Sequence, residues 1–193
     1  MKTRPLDVVG ALEFTPTVFP DRRGLFVSPF QGDAFTAALG HPMTVAQTNH
    51  NRSANGVVRG IHFTRYPPGQ AKLVHCARGR ALDFVVDLRV GSPTFGRWDG
   101  VEIDDQSFRS VYFPPGCGHA FIALEEDTVM SYLVSTGYAP ELELSIHPLD
   151  RDIALPWPSG FDFVLSDRDL AAPSLAEAGS AGLLPQYADL AGC

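Results

Sequence analysis

Short apolar runs broken by turn residues dominate the chain, and they predict strands rather than helices. Nine stand out: Phe26–Phe30, Met43–Asn49, Gly56–Ile61, Lys72–Cys76, Ala81–Leu88, Trp98–Ile103, Ser110–Phe113, Ala120–Leu124 and Val129–Val134. Between them lie Asp21-Arg22-Arg23-Gly24, Tyr66-Pro67-Pro68-Gly69, Val90-Gly91-Ser92-Pro93 and Pro114-Pro115-Gly116. In these turns Pro fixes φ and Gly permits conformations closed to other residues. Ala81–Leu88 is apolar almost throughout, so it is expected to be buried on both faces, deep in a sheet. Helical patterning is confined to Asp33–Leu39 and a piece around Ser174–Leu184. Many short strands at regular turn spacing predict a sandwich or barrel. No repeat or linker divides residues 1–193, which are expected to form one all-β domain. The tail from about residue 157 is expected to be looser and to pack outside the barrel.

Composition narrows the function classes. Hydrophobic residues make up 45% and charged residues 19% of 193, which suits a soluble globular chain and excludes a disordered one. A formal net charge of -7 argues against a nucleic-acid partner, which calls for a basic surface. No apolar run reaches the roughly 18 residues of a membrane span, and the N-terminus carries no secretory pattern. Cys76, Cys117 and Cys193 are odd in number and widely spaced, which points to a reducing cytoplasm rather than a disulfide framework. There are thirteen arginines and only two lysines, Lys2 and Lys72. A lysine retained inside such a chain marks a place where a compact, titratable ammonium is useful.

Polar residues concentrate inside three otherwise apolar segments. They are Gln47–Ser53 running on to Phe63, Pro67–His75, and Pro114–Phe121. In the third, Pro114 to His119 form a Pro-x-Gly-x-x-His pattern that resembles the second signature of the cupin barrels. Many cupins hold a metal through His-x-His and a following Glu. Here His62 is followed by Phe63 and Thr64, and the spacing of His62, His75 and His119 puts at most two on one face. No metal or other cofactor is therefore expected.

A wider resemblance is carried by Phe19–Phe26, Gln47-Thr48-Asn49, Gly56–His62, Gly69–Val74, Tyr132 through Tyr138-Ala139-Pro140-Glu141, and Leu165-Ser166-Asp167-Arg168-Asp169. These segments resemble the dTDP-4-dehydro-6-deoxyglucose 3,5-epimerase family, in order and spacing, from about residue 8 to residue 185. The finer likeness is to the branch that makes deoxysugars for actinomycete antibiotics. The resemblance implies a cupin-type double-stranded β-helix, a jelly-roll barrel with short peripheral helices. It also implies a homodimer with N-terminal strand exchange.

For the site, the resemblance implies that His62 is the base, Asp169 the carboxylate behind it, Lys72 the cation near the C4 oxygen and Tyr132 the proton donor. An imidazole takes and returns protons near neutral pH, which suits it to that task. Arg23 and Arg59 match family contacts to the diphosphate, for which guanidinium donors are well shaped. Gln47 and Asn49 match polar contacts, Tyr138 a ring that stacks on thymine, and His119, Glu143 and Arg168 further binding positions. Four departures are visible. Ser28 stands where the family usually has Glu, which removes a carboxylate contact to the nucleotide. Leu133 replaces Lys, Gly137 replaces Tyr, and His147–Asp150 replaces a Trp-Asn-Asp-Pro stretch. These last three are expected to border the acid-side face and to bear on which carbon is inverted. The rival readings are a dTDP-4-keto-sugar 3,4-ketoisomerase, a metal-dependent cupin oxygenase and a sugar-nucleotide-binding module without catalysis.

Overall fold

Two antiparallel sheets face one another, and the cavity of interest lies between them. The structure is a computed structural model describing residues 1–190, so the expected cysteine Cys193 lies outside the described residues. Its strands are β1 (Lys2–Pro5), β2 (Leu12–Thr15), β3 (Val18–Asp21), β4 (Gly24–Val27), β5 (Gln47–Ser53), β6 (Val58–Thr64) and β7 (Lys72–Arg78). They continue with β8 (Arg80–Asp87), β9 (Trp98–Asp104), β10 (Ser110–Phe113), β11 (Cys117–Ala123), β12 (Thr128–Val134) and β13 (Glu143–Ser145). Short helices α1 (Gly32–Leu39), α2 (Asp167–Leu170) and α3 (Leu175–Ser180) lie at the periphery. One sheet runs β1-β2-β10-β7-β12-β5, the other β13-β6-β11-β8-β9, and β3-β4 form a separate hairpin. This is the cupin-like jelly roll that the resemblance implies, within the sandwich-or-barrel class that the turn spacing predicts. No helix of the described residues is long and apolar enough to cross a membrane.

Side-chain alternation divides the core into three layers. Val74, Cys76, Val85, Phe121 and Met130 pack between the sheets. Leu73 and Leu133 point the other way, onto a cluster formed with Phe14 and Phe35 of α1. On the outside of the second sheet, Ile61, Phe63, Phe84 and Val86 are covered by Ile153, Ala178 and Leu184. The segment beyond residue 157 thus packs on that outer face. Val164 also bridges Val57, and Trp157 stacks edge-on against Phe84 with centroids 5.1 Å apart. The central position of β8 between β11 and β9 accounts for its apolar run.

Some boundaries differ from those read in the sequence. The strand expected at Met43–Asn49 occupies Gln47–Ser53 instead. Met43 packs on the α1 cluster, while the polar run pairs with β12 as a sheet edge. Its alternate side chains face the cavity and solvent, so neither set needs to be apolar. Strands β1, β2, β3 and β13 escaped the sequence reading because each is three or four residues long.

A bulge in β6 decides which of its side chains face the cavity. The pairing with β11 runs His119↔His62 and then Phe121↔Arg59, so Ala120 opposes both Gly60 and Ile61. In a regular strand residues 59 and 62 would lie on opposite faces. The extra residue brings Arg59 and His62 to the same face while Ile61 goes to the outer core. Only glycine fits at position 60. Its φ is +127°, and an added Cβ would lie 2.5 Å from the Ala120 Cβ and 2.7 Å from the His119 carbonyl oxygen. Gly60→Ala is expected to destabilise the fold by about 2–4 kcal/mol, combining overpacking with backbone strain. Urea unfolding checks this, and an unchanged midpoint would show that the bulge accommodates a side chain.

Candidate active site

The cavity of about 230 Å³ between the sheets is polar on a scale the surrounding core is not. From one sheet come Arg59, His62, His119, Phe121 and Glu143; from the other come Asn49, Asn51, Lys72, Tyr132 and Val134. His50, Gln70, Tyr138 and Arg168 complete the lining. Nine of the twelve residues singled out in the sequence therefore share one cavity. A tenth, Asp169, stands behind His62, and Gln47 hydrogen-bonds to two of the lining residues.

His62 Nε2 lies 2.6 Å from Asp169 Oδ1. An ionised carboxylate can only accept, so Nε2 carries the hydrogen and Nδ1 keeps a lone pair free of protein partners. Helix α2 holds the carboxylate there, with the Asp169 N–H donating to the Ser166 hydroxyl at its N-cap. Burial opposes ionisation of Asp169. Hydrogen bonds from His62, the Ser166 hydroxyl and the Gly60 N–H outweigh it and hold the carboxyl below its ordinary value.

A second imidazole–carboxylate pair adjoins the first, because His119 is the cross-strand partner of His62. His119 Nε2 lies 2.5 Å from Asp83 Oδ1, and Asp83 Oδ2 has no partner among the described residues. Burial drives the His119 pKa down, and the Asp83 charge only partly restores it. Both Asp83 and His119 are buried, whereas the His62 side chain keeps 29% of its surface exposed. His62 is thus the imidazole that reaches an incoming molecule.

Across the cavity, Lys72 is buried, and that burial lowers its pKa against the opposing pull of Glu143. Its ammonium makes no protein hydrogen bond among the described residues, leaving its donors for a ligand. The Tyr132 ring packs edge-on to His119 at 5.6 Å, and its oxygen accepts a hydrogen bond of 2.9 Å from Asn51 Nδ2. Burial and the Asp83 charge raise the Tyr132 pKa well above that of a free phenol, against the opposing effects of Asn51 and Arg59. Its proton stays in place across the neutral range.

The remaining polar residues are set by their neighbours. Arg59 Nε donates to the Ser53 hydroxyl at 3.2 Å. Gln47 donates to Asn49 Oδ1 at 2.5 Å and accepts from the Tyr138 N–H at 3.0 Å, tying the cavity's polar edge to its exposed aromatic rim. Arg168 Nη2 donates to the Glu143 carbonyl, and the Glu143 carboxylate accepts from Thr64.

Arg23 is not brought into this cavity. It sits at the tip of the β3–β4 hairpin, paired at 2.6 Å with Asp21, and Ser28 lies just beyond that hairpin. Two of the departures expected to border the acid-side face do not. Leu133 alternates away from Tyr132 onto the outer α1 cluster, and His147–Asp150 lies outside the cavity lining. Gly137, beside Gln47 and Tyr138, is at the rim. Asn51, Gln70 and Asp83 were not singled out. The first two stood in the polar segments, and Asp83 was visible as a carboxylate within the apolar run of β8.

An imidazole backed by a helix-borne carboxylate on one wall, with a phenol and an ammonium on the other, is the geometry to set beside known proteins. The family model of dTDP-4-dehydrorhamnose 3,5-epimerase matches residues 5–177. The chain belongs to this family. It is 50% identical over 189 residues to the dTDP-4-dehydrorhamnose 3,5-epimerase of Mycolicibacterium smegmatis, covering 98% of this chain and 93% of that protein. The structure of NovW, a 4-keto-6-deoxy sugar epimerase from the novobiocin cluster of Streptomyces spheroides, superposes with a TM-score of 0.96. That match has 49% identity and covers 98% of this chain and 95% of NovW. ChmJ, a 3'-monoepimerase from Streptomyces bikiniensis solved with dTDP-quinovose, gives 0.93 at 48% identity, covering 96% of this chain and 93% of that one. The family thus includes enzymes named for both centres and for one.

The depressed Asp169 pKa has a definite sign in stability. The folded protein releases this proton below the ordinary value of 3.8, so the carboxylate contributes stability above about pH 4. That contribution is lost as pH falls through the folded value. Asp169→Asn is expected to be less stable at pH 7 by about 1.5–3 kcal/mol, the scale of a hydrogen bond to a charged group. Denaturant unfolding at pH 7 and pH 3 should show the gap to the parent closing in acid. A gap of constant size would show that the charge is not the stabilising element.

Proposed function

We propose that this epimerase acts on a dTDP-4-keto-6-deoxy-hexose, inverting C3, C5 or both, in the making of a deoxysugar for a natural product. The observation that carries the reading is the placement of His62 on one sheet, backed by Asp169 of α2, and of Tyr132 with Lys72 on the sheet opposite. Hydrogens at C3 and C5 are acidic because each lies α to the C4 ketone. His62 Nδ1 takes one of them as the C–H electron pair forms the enolate double bond and charge moves to the C4 oxygen. The Lys72 ammonium donates to that oxygen, and Asp169 balances the imidazolium. Tyr132 delivers its proton to the carbon from the other face, the ketone re-forms, and solvent restores both groups. No electrons are gained or lost overall, so the reaction calls for no redox cofactor.

Arg59 and Arg168 offer guanidinium donors to the diphosphate, and Tyr138 a ring for thymine to stack on. Gln47, Asn49, His119 and Glu143 supply the polar contacts around them. A chain of net charge -7 that gathers Arg59, Lys72 and Arg168 in one cavity is matched to an anionic substrate. The unpaired buried thiols Cys76 and Cys117 fit an enzyme of the cytoplasm.

The working form is a homodimer in which the β3–β4 hairpin engages the second copy. That hairpin carries Phe19 at 57% and Phe26 at 66% exposure, with Arg23 at its tip, away from its own cavity. If Arg23 serves the neighbouring site, mixing the inactive Arg23→Ala and His62→Ala proteins should restore activity through hybrid dimers. A mixture no more active than its components would show that Arg23 does not serve the neighbouring site.

NMR of the 4-keto substrate in deuterated water tests the chemistry. His62→Ala should lose solvent exchange at both α-carbons, with kcat reduced roughly 10²–10⁴-fold and dTDP affinity nearly unchanged. With the parent enzyme, loss of the H3 signal, the H5 signal or both reports the centre that exchanges. Exchange by His62→Ala near the parent rate would move the base to His119. A product whose carbonyl had migrated to C3 would make the protein a ketoisomerase.

A further inference from the structure

We propose that Asn51 is a positioning residue for proton delivery: its side-chain amide holds the Tyr132 phenol with the hydroxyl hydrogen directed away from the protein and toward the substrate. The inference rests on the reading of Tyr132 as the acid. Asn51 and Tyr132 lie on adjacent strands, two positions out of register, because Asn51 pairs with Met130 and Tyr132 with Asn49. Such diagonal neighbours on one sheet face are within reach of long side chains. Asn51 Nδ2 donates to the phenol oxygen at 2.9 Å. A phenol whose oxygen accepts in this way keeps its own hydrogen for another acceptor.

The arrangement leaves Asn51 Oδ1 buried with no hydrogen-bond partner among the described residues. An unpaired buried carbonyl is destabilising, and its persistence calls for an explanation at the other end of the amide. That end supplies the hydrogen bond recorded at the oxygen that becomes anionic. As the O–H bond breaks and the new C–H bond forms, the charge left on Tyr132 sits near Asp83, whose field opposes it. The Asn51 N–H counters that field where the charge develops. Rotating the amide by half a turn would reverse the effect, since Oδ1 would then accept the phenol hydrogen and withhold it from the sugar.

Two substitutions separate these roles. Asn51→Leu removes the donor at similar volume. Asn51→Asp keeps the shape but offers only acceptors and a negative charge. Deuterium wash-in, which needs only the base, and inversion, trapped by a coupled 4-keto-sugar reductase, are followed on the same sample. Wash-in is expected to stay within about twofold of the parent with KM unchanged. The kcat for inversion should fall about ten- to hundredfold in Asn51→Leu, the range for a lost hydrogen bond to a charged group, and further in Asn51→Asp. Equal loss of wash-in and inversion would make Asn51 a packing residue, and undiminished inversion would remove it from the mechanism. Tyr132→Phe is the control on the underlying reading. Inversion surviving there overturns the assignment of the acid, whereas inversion lost there but retained in both Asn51 variants overturns only the role of Asn51.

Discussion

The bulge at Gly60 is the constraint on which the site depends. Arg59 and His62 stand three positions apart, an odd interval that a regular strand would convert into opposite faces. Opposing Ala120 to both Gly60 and Ile61 removes that mismatch, and the absence of a Cβ at Gly60 lets β6 lie against β11 closely enough to do so. The same glycine donates its N–H to Asp169, so one backbone irregularity both turns the imidazole inward and steadies its carboxylate. A guanidinium and an imidazole thereby enter one cavity from three positions apart on one strand.

Burial then divides labour among groups of like chemistry. Two imidazoles stand side by side, each with a carboxylate, yet His119 and Asp83 are enclosed while His62 keeps access to the cavity. Enclosure drives the His119 pKa down and leaves it a neutral hydrogen-bonding group. Burial, joined by the charge of Asp83, whose second oxygen has no partner among the described residues, raises the Tyr132 pKa. The two imidazole–carboxylate pairs are therefore not equivalent: one opens to the cavity, and the other is enclosed beside Tyr132.

Much of this could be read in the chain before any coordinates. Turn punctuation located the barrel strands, and polar residues in apolar segments located the cavity, because a buried polar side chain has to be justified by a partner or a ligand. What escaped has physical reasons. Edge strand β5 is polar on both faces, so hydropathy displaced it toward Met43. Leu133 was assigned to the acid-side face by adjacency to Tyr132, although period-two alternation sends it to the opposite side of the sheet. Asp83 and Asn51 act through neighbours distant in sequence, His119 and Tyr132, and only strand register reveals those partners. The Asp169 match depended on resemblance, since nothing local ties residue 169 to residue 62.

The placement of imidazole and phenol on two facing sheets bears on stereochemistry. A single group facing an enolate can only return a proton to the side it came from, which exchanges hydrogen without inverting carbon. Inversion needs a donor across the ring, and in a jelly roll the two inner faces supply opposed side chains at a spacing fixed by sheet packing of about 10 Å. Both sheets are backed by apolar layers on their outer faces, so neither wall can yield independently. The inverting geometry is therefore a property of the barrel as a whole, and the choice between C3 and C5 falls to the groups that orient the sugar between fixed walls.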